Sequence, residues 1–179
     1  NSTLQVVAGN PIIKTPEDNT FDDPVLYFNG SDSVKISYIN LGTGDFTFEG
    51  LVYKKSTGSF TIFDMRYDNI NFALFSNVDN NNNGFELWYN DETPKIQSQV
   101  WEINKWYHWA IVREGDNTVL FINGIKADQS FLMPNENLTS KNTIFGSKYS
   151  HTDFFNGYMA QIKASSVSLY GIDNNFVSP

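Results

Sequence analysis

The sequence predicts an all-β chain folded as a two-sheet antiparallel sandwich, and three observations carry that prediction. Runs of about four to eight residues alternate apolar with polar side chains, and turn signals separate them roughly every ten residues. No stretch keeps apolar residues at helical spacing for a dozen positions without Gly, Pro or a β-branched run, so no helix is expected. Four Asn-Gly pairs, beginning at positions 29, 83, 123 and 156, supply residues that tolerate the positive φ of tight turns.

Taken in order, residues 3–8 suit an opening strand, and Pro11 with residues 16–23 reads as an acidic, turn-rich connection. Strands are then expected over 25–28, closed by Asn29-Gly30, over 34–39, and over 46–53, where Phe46, Phe48, Gly50 and Val52 share one side. Residues 60–65 and 70–75 form two more, joined by 66–69. A polar turn over 77–83 leads into a strand over 85–89, and Pro94 opens another toward Val100. Short strands over 125–128 and 143–145 flank a loop at 134–137, and 154–164 is a long extended segment containing Asn156-Gly157.

The ribbon over 106–124 organises the rest. Its first run sorts into Trp106, His108, Ala110 and Val112 against Tyr107, Trp109, Ile111 and Arg113, so large rings occupy both faces. One face then meets a second sheet, and the other lines a concavity. Residues 114–117 turn the chain into a second strand over 118–122, and Asn123-Gly124 turns it into a third.

Composition bounds the function classes. At 179 residues the chain suits one domain, with an N-terminal strand and acidic connection over 1–24, because a globule of this size removes roughly 70% of its unfolded surface from water. An aromatic content of 16% against 18% charged residues belongs to a folded chain, and a net charge of −8 disfavours nucleic acid and anionic membrane surfaces. No run approaches the roughly eighteen apolar residues of a membrane span, so no insertion is expected. No signal-peptide pattern opens the chain, and a start at Asn1 without Met is what removal of a preceding segment would leave. The absence of Cys excludes disulfides and thiolate zinc sites. Sequons at Asn1, Asn29 and Asn137 matter only in a eukaryotic secretory pathway.

An ordered set of short motifs supports a closer reading. Phe28-Asn29-Gly30-Ser31 and the run from Asp45 through Phe48-Glu49-Gly50 to Tyr53 come first. The Trp106-x-His108-x-Ala110-x-Val112-Arg113-x-Gly115 string, Leu120-Phe121-Ile122-Asn123-Gly124, Ile144-Phe145-Gly146 and Phe155-Asn156-Gly157-Tyr158 follow. Together they resemble the concanavalin A-like jelly roll in its laminin-G-like, pentraxin-like form. The ending, from Ile162-Lys163-Ala164 through Leu169-Tyr170-Gly171 to Asn175-Phe176-Val177-Ser178-Pro179, resembles such domains in bacteriophage tail and other virion proteins. That resemblance implies an attachment or capsid-decoration role without catalysis, on the exposed surface of a virion, or alternatively an extracellular, secreted setting. Three positions depart from the pattern: Leu51 stands near an expected Trp, and Ala160 with Gln161 stand where relatives place an acid that helps hold calcium.

As a general base His108 would need a carboxylate and a pocket, which its spacing does not supply, so a structural histidine is preferred. His151 has no second His on its element and reads as a loop residue. Glycan hydrolases of this fold resemble an E-x-D-x-x-E strand and lyases a Q-x-H, and the sequence contains neither. Asp79, Asn81 and Asn83 with Gly84 take positions 1, 3, 5 and 6 of a calcium loop, but Asn90 stands where the bidentate Glu belongs, so a plain hairpin turn is preferred to a Ca2+ site. The acidic pairs Asp22-Asp23 and Asp91-Glu92 read as solvated loops.

Aromatic residues are the remaining binding signal. Tyr107 and Trp109, taken as the non-core side of the ribbon, with Trp88, Tyr89 and Trp101 nearby, either offer flat platforms for sugar rings or fill the sandwich core or an oligomer interface. The rim loops 77–84 and 147–154, the latter with Tyr149 and His151, are the other expected contact surface. The expected partner is a host-surface glycan or a neighbouring virion protein, with a homo-oligomer compatible with either.

Overall fold

The computed structural model describes residues 3–16, 25–77, 84–90, 93–134 and 136–178. The strands are β1 (Leu4–Ala8), β2 (Ile12–Lys14), β3 (Val25–Asn29), β4 (Ser33–Ile36), β5 (Ile39–Asn40), β6 (Phe46–Lys54), β7 (Phe60–Asp64) and β8 (Phe72–Asn77). They continue with β9 (Gly84–Tyr89), β10 (Ile96–Val100), β11 (Trp106–Glu114), β12 (Asn117–Ile122), β13 (Ile125–Leu132), β14 (Thr139–Ser140), β15 (Thr143–Phe145) and β16 (Asn156–Ser165). A 3-10 turn at Arg66–Asp68 is the one helical element among the described residues.

Two seven-stranded antiparallel sheets form the all-β sandwich of the predicted jelly-roll class. Sheet one runs β1-β4-β15-β7-β8-β9-β10 and sheet two β13-β12-β11-β6-β16-β3-β2, with β14-β5 as a separate ribbon. β6 and β11 are the middle of sheet two, paired without a register break from Phe46↔Arg113 to Tyr53↔Trp106. Alternation therefore sends Phe46, Phe48 and Val52 inward, as the sequence predicts. Trp109 sits opposite Gly50, where a Cβ would lie 2.9 Å from the indole. The glycine leaves room for the ring, which meets Phe48 edge-on at 5.2 Å and Phe63 at 5.6 Å.

The aromatic ribbon turns its faces the opposite way to the expected one. Tyr107, Trp109 and Ile111 belong to the main core, and the outward face carries Trp106, His108, Ala110 and Val112. Tyr107 and Trp109 are only 7% and 0% exposed, so they fill the interior and offer no sugar platform. No open concavity covers the His108 half of that outward face. The chain's own end lies there: Tyr170, Ile172 and Phe176 pack on Ala110, Val112, Val119 and Phe121, and the Phe176 amide donates to the Gly124 carbonyl at 2.9 Å.

Several boundaries differ from expectation, among them β8, which starts and ends two residues later than the expected 70–75. β13 runs four residues past 128, because pairing resumes with Val119↔Ser130 after a register shift. β2 lies inside the expected connection; three residues on a sheet edge leave too short a pattern to read. The 34–39 run breaks at Tyr38, whose φ is 63°. Asn156-Gly157 is strand and not turn: Gly157 pairs with both Phe28 and Lys54, and a Cβ there would fall 1.9 Å from the Tyr53 carbonyl oxygen. The Asn123-Gly124 turn is as expected, with φ of 51° and 75°. The Asn83-Gly84 pair begins outside the described residues, as do Asp22, Asp23, Asp91 and Glu92.

Candidate functional site

On the outer face of sheet one, strand alternation sets Phe75 of β8 beside Glu86 of β9, with Trp88 two residues on pointing the same way. Phe75 and Trp88 meet edge-to-face at 6.1 Å. The turn after β7 brings Arg66 over Phe75, and the loop after β15 brings Tyr149 against the same guanidinium, each ring centroid 5.1 Å from its carbon. Arg66, Phe75, Glu86 and Trp88, with Ser59, Phe60, Ser76, Lys148 and Asp153, border a cleft of about 290 Å³, and Tyr149 backs the Arg66 wall.

Hydrogen bonds make the walls rigid. Asp64, fully buried, takes Arg66 Nε at 3.0 Å and Nη2 at 2.7 Å, and also the Tyr149 amide at 3.1 Å. The Asp64 hydrogen bond is the main reason the Arg66 guanidinium titrates above its ordinary range. Glu86 accepts from Trp88 Nε1 at 3.1 Å and from Gln97 Nε2 at 3.0 Å, which orients the indole. Lys148 pairs with Asp153 and lies over Phe75. Ser76 borders the cleft, but its side chain alternates away from Phe75 to the side of Phe85, where its hydroxyl is buried with no hydrogen-bond partner among the described residues. Such a site sets the half-buried Trp88 indole, on which the C–H face of a sugar can stack, beside charged side chains that can bond hydroxyls.

The expected site residues divide among several places. Trp88 lines this cleft and Tyr149, 44% exposed, braces it through Arg66. His151 is exposed with φ 59° in the same rim loop, its amide bonded to the Lys148 carbonyl at 2.9 Å, but it is not a wall residue. Tyr89 points to the other side of β9, stacks on Phe131 at 5.3 Å and bonds Glu136. Trp101 is stacked on Phe85 at 4.4 Å in the core. Lys148 and Asp153 belong to the rim loop 147–154 singled out in the sequence, whereas Arg66, Phe75 and Glu86 escaped sequence reasoning, although the period-two rule applied to β9 would have grouped Glu86 with Trp88 and separated Tyr89.

His108 does have the carboxylate its spacing failed to show. Glu49, on the neighbouring strand, accepts from His108 Nε2 at 3.0 Å and from the Tyr170 hydroxyl at 2.6 Å. Burial lowers the His108 pKa despite Glu49, and burial followed by Glu49 raises that of Tyr170 far above its ordinary value. All three groups lie under the C-terminal segment, where Tyr170 and Phe176 stack at 3.8 Å, so the arrangement fastens that segment to sheet two.

Asp79, Asn81 and Asn83 lie outside the described residues. Among the described residues no group of three His, Asp or Glu side chains is placed to hold a metal ion. Ala160 and Gln161 contribute no carboxylate at the position where the resemblance implies one.

Comparison with solved structures returns the same architecture. Domain 4 of AbnA, an extracellular arabinanase of Geobacillus stearothermophilus solved with arabinotriose, superposes with a TM-score of 0.66 at 13% identity, covering 94% of this chain and 83% of that one. The binding domain of botulinum neurotoxin DC with SialylT gives 0.64 at 16%, covering 94% of this chain and 44% of that one. A Trypanosoma rangeli sialidase mutant gives 0.63 at 13%, covering 93% and 28%. The chain thus spans less than half of the neurotoxin and sialidase chains, and at these identities the likeness is one of fold. A search of curated proteins found no match. The laminin G family profile described as "Concanavalin A-like lectin/glucanases superfamily" matches residues 28–170, most of the chain, and the protein belongs to that superfamily.

Proposed function

We propose that this chain is a single non-catalytic glycan-binding domain that uses the outer-face cleft of sheet one. The observation that carries the reading is the half-buried Trp88 indole, oriented by Glu86 at a cleft that also holds Arg66 and Lys148: an aromatic ring beside polar side chains is the usual chemistry of sugar recognition. The complexes of the arabinanase domain with arabinotriose and of the neurotoxin domain with SialylT support it by analogy. The carboxylates at the cleft, Glu86 and Asp153, are engaged by Trp88 and Gln97 and by Lys148, which disfavours a role for them as a glycosidase pair.

The biological setting belongs to the same proposal. The ending of the chain, with its likeness to phage tail and virion proteins, supports a virion surface where the ligand is a host glycan or a neighbouring structural protein. The arabinanase domain favours a second setting, a carbohydrate-binding module of a secreted bacterial protein. Capsid and tail genes flanking the coding sequence would favour the first setting over the second.

A glycan array with and without calcium tests the binding reading. Retention of specific glycans is expected, with Trp88→Ala weakening it at least about tenfold, the loss of roughly 1.4 kcal/mol of stacking. Silence across the array would overturn glycan binding, and sustained product release from a polysaccharide panel would overturn the non-catalytic assignment.

A further inference from the structure

Both cations at the cleft are already matched by carboxylates. Among the described residues, the charged side chains that border it are Arg66, Lys148, Glu86 and Asp153, and Asp64 lies behind Arg66. Arg66 gives both Nε and Nη2 to the fully buried Asp64. Two parallel donors of this kind are what an arginine offers a carboxylate, so the fork is filled before a ligand arrives. The rings of Phe75 and Tyr149 lie against the same guanidinium, which fixes it in place. Lys148 pairs with Asp153.

Glu86 is the carboxylate left over. It is only 4% exposed, it shares the outward side of β9 with Trp88, and its two oxygens accept from Trp88 Nε1 and Gln97 Nε2, neither of them a cation. Residues outside the described ranges contain no Lys or Arg, so they bring no positive charge to offset it. Three carboxylates against two cations leave one negative charge in excess, next to the indole on which a sugar stacks. The net charge of −8 on the whole chain adds a field of the same sign at longer range.

An anionic sugar and a neutral one meet this arrangement differently. The carboxylate of an acidic sugar finds no unspent cation, must draw Arg66 or Lys148 away from its partner, and sits beside the buried charge of Glu86, where the lowered dielectric strengthens repulsion. A hydroxyl donates to an oxygen of Asp153 or Glu86, or accepts from Lys148, with no charge to offset. We propose, on the reading of the cleft as a glycan site, that it takes uncharged sugars and excludes sialic and uronic acids, and that Glu86 is the residue that sets this choice.

Matched oligosaccharides test the selectivity: glucan against glucuronan and galactan against galacturonan of equal length, and lactose against sialyllactose. The Trp88 indole N–H resonance, assigned with Trp88→Phe, is followed during titration of the unmodified protein. Neutral members are expected to shift it, and each acidic counterpart to bind about tenfold or more weakly. Glu86→Gln keeps the shape and an oxygen acceptor for Trp88 Nε1 while removing the charge, and should bring each ratio to within about threefold. In the unmodified protein, raising the salt to about 1 M, where the Debye length falls to about 3 Å, should narrow the ratio part of the way. Acidic members that bind as tightly as neutral ones, or a ratio that neither Glu86→Gln nor salt alters, would overturn the selectivity and leave the cleft a glycan site. A Trp88 resonance unmoved by every member of both series would overturn the cleft reading itself, and this inference with it.

Discussion

Trp109→Ala is expected to lower the unfolding free energy by about 3–5 kcal/mol, the range for deleting a large buried ring. The indole is fully buried and stands between Phe48 and Phe63. Gly50 beneath it has no side chain that could move into the space, so the cavity persists. Trp109→Phe should cost far less, since a ring remains and the indole nitrogen has no hydrogen-bond partner among the described residues to lose. Denaturant titration of the two variants beside Trp88→Ala, whose side chain is only half-buried, checks this. A loss below about 1 kcal/mol for Trp109→Ala would contradict the inward orientation of the ribbon.

Glu49→Leu is expected to destabilise by roughly 2–4 kcal/mol, because one carboxylate serves the buried His108 and the half-buried Tyr170 and its removal strands both. His108 Nε2 and the Tyr170 hydroxyl share Oε2, so losses from Glu49→Leu and Tyr170→Phe should add to clearly more than the double variant shows. Hydrogen exchange at the Phe176 amide, which bonds the Gly124 carbonyl, should quicken in Glu49→Leu, and unchanged exchange there would detach this cluster from the C-terminal segment.

The same cluster sets a pH dependence. Burial, outweighing Glu49 and joined by Lys163, holds the His108 pKa below its ordinary value near 6.5. The unfolded chain therefore takes up the proton first, so this contribution to stability is complete above about 6.5 and is lost as pH falls below it. Tyr170 is raised above its ordinary value of 10.0 by burial and then by Glu49, so its contribution holds below that value and is lost as pH rises past it. Thermal midpoints against pH should show a plateau between those limits. His108→Gln should flatten the acid side, and an unaltered acid limb would refute the assignment to His108.

The strands themselves were legible because alternation and turn residues are local signals. Phe46, Phe48 and Val52 point inward as their spacing dictates, and Asn123-Gly124 turns the chain where the dipeptide says it should. Which of the two aromatic faces of β11 meets the core was not legible, since both carry rings and period two is blind to sign. The sign was decided by Gly50 opposite Trp109 and by a C-terminal segment that returns from the far end of the chain to cover Ala110 and Val112.

Binding surfaces depend still more on distant partners. Trp88 could be singled out by type, yet its floor and walls come from Phe75, Arg66 and Lys148, which strand pairing and a rim loop bring together. Side-chain period and turn chemistry act between neighbours in sequence, so composition and order alone determined the all-β class, the main strands and the superfamily. Register and segment docking arise from contacts between residues far apart in the chain, so tertiary structure alone decided which rings are core, which carboxylate holds His108, and where aromatic surface faces outward.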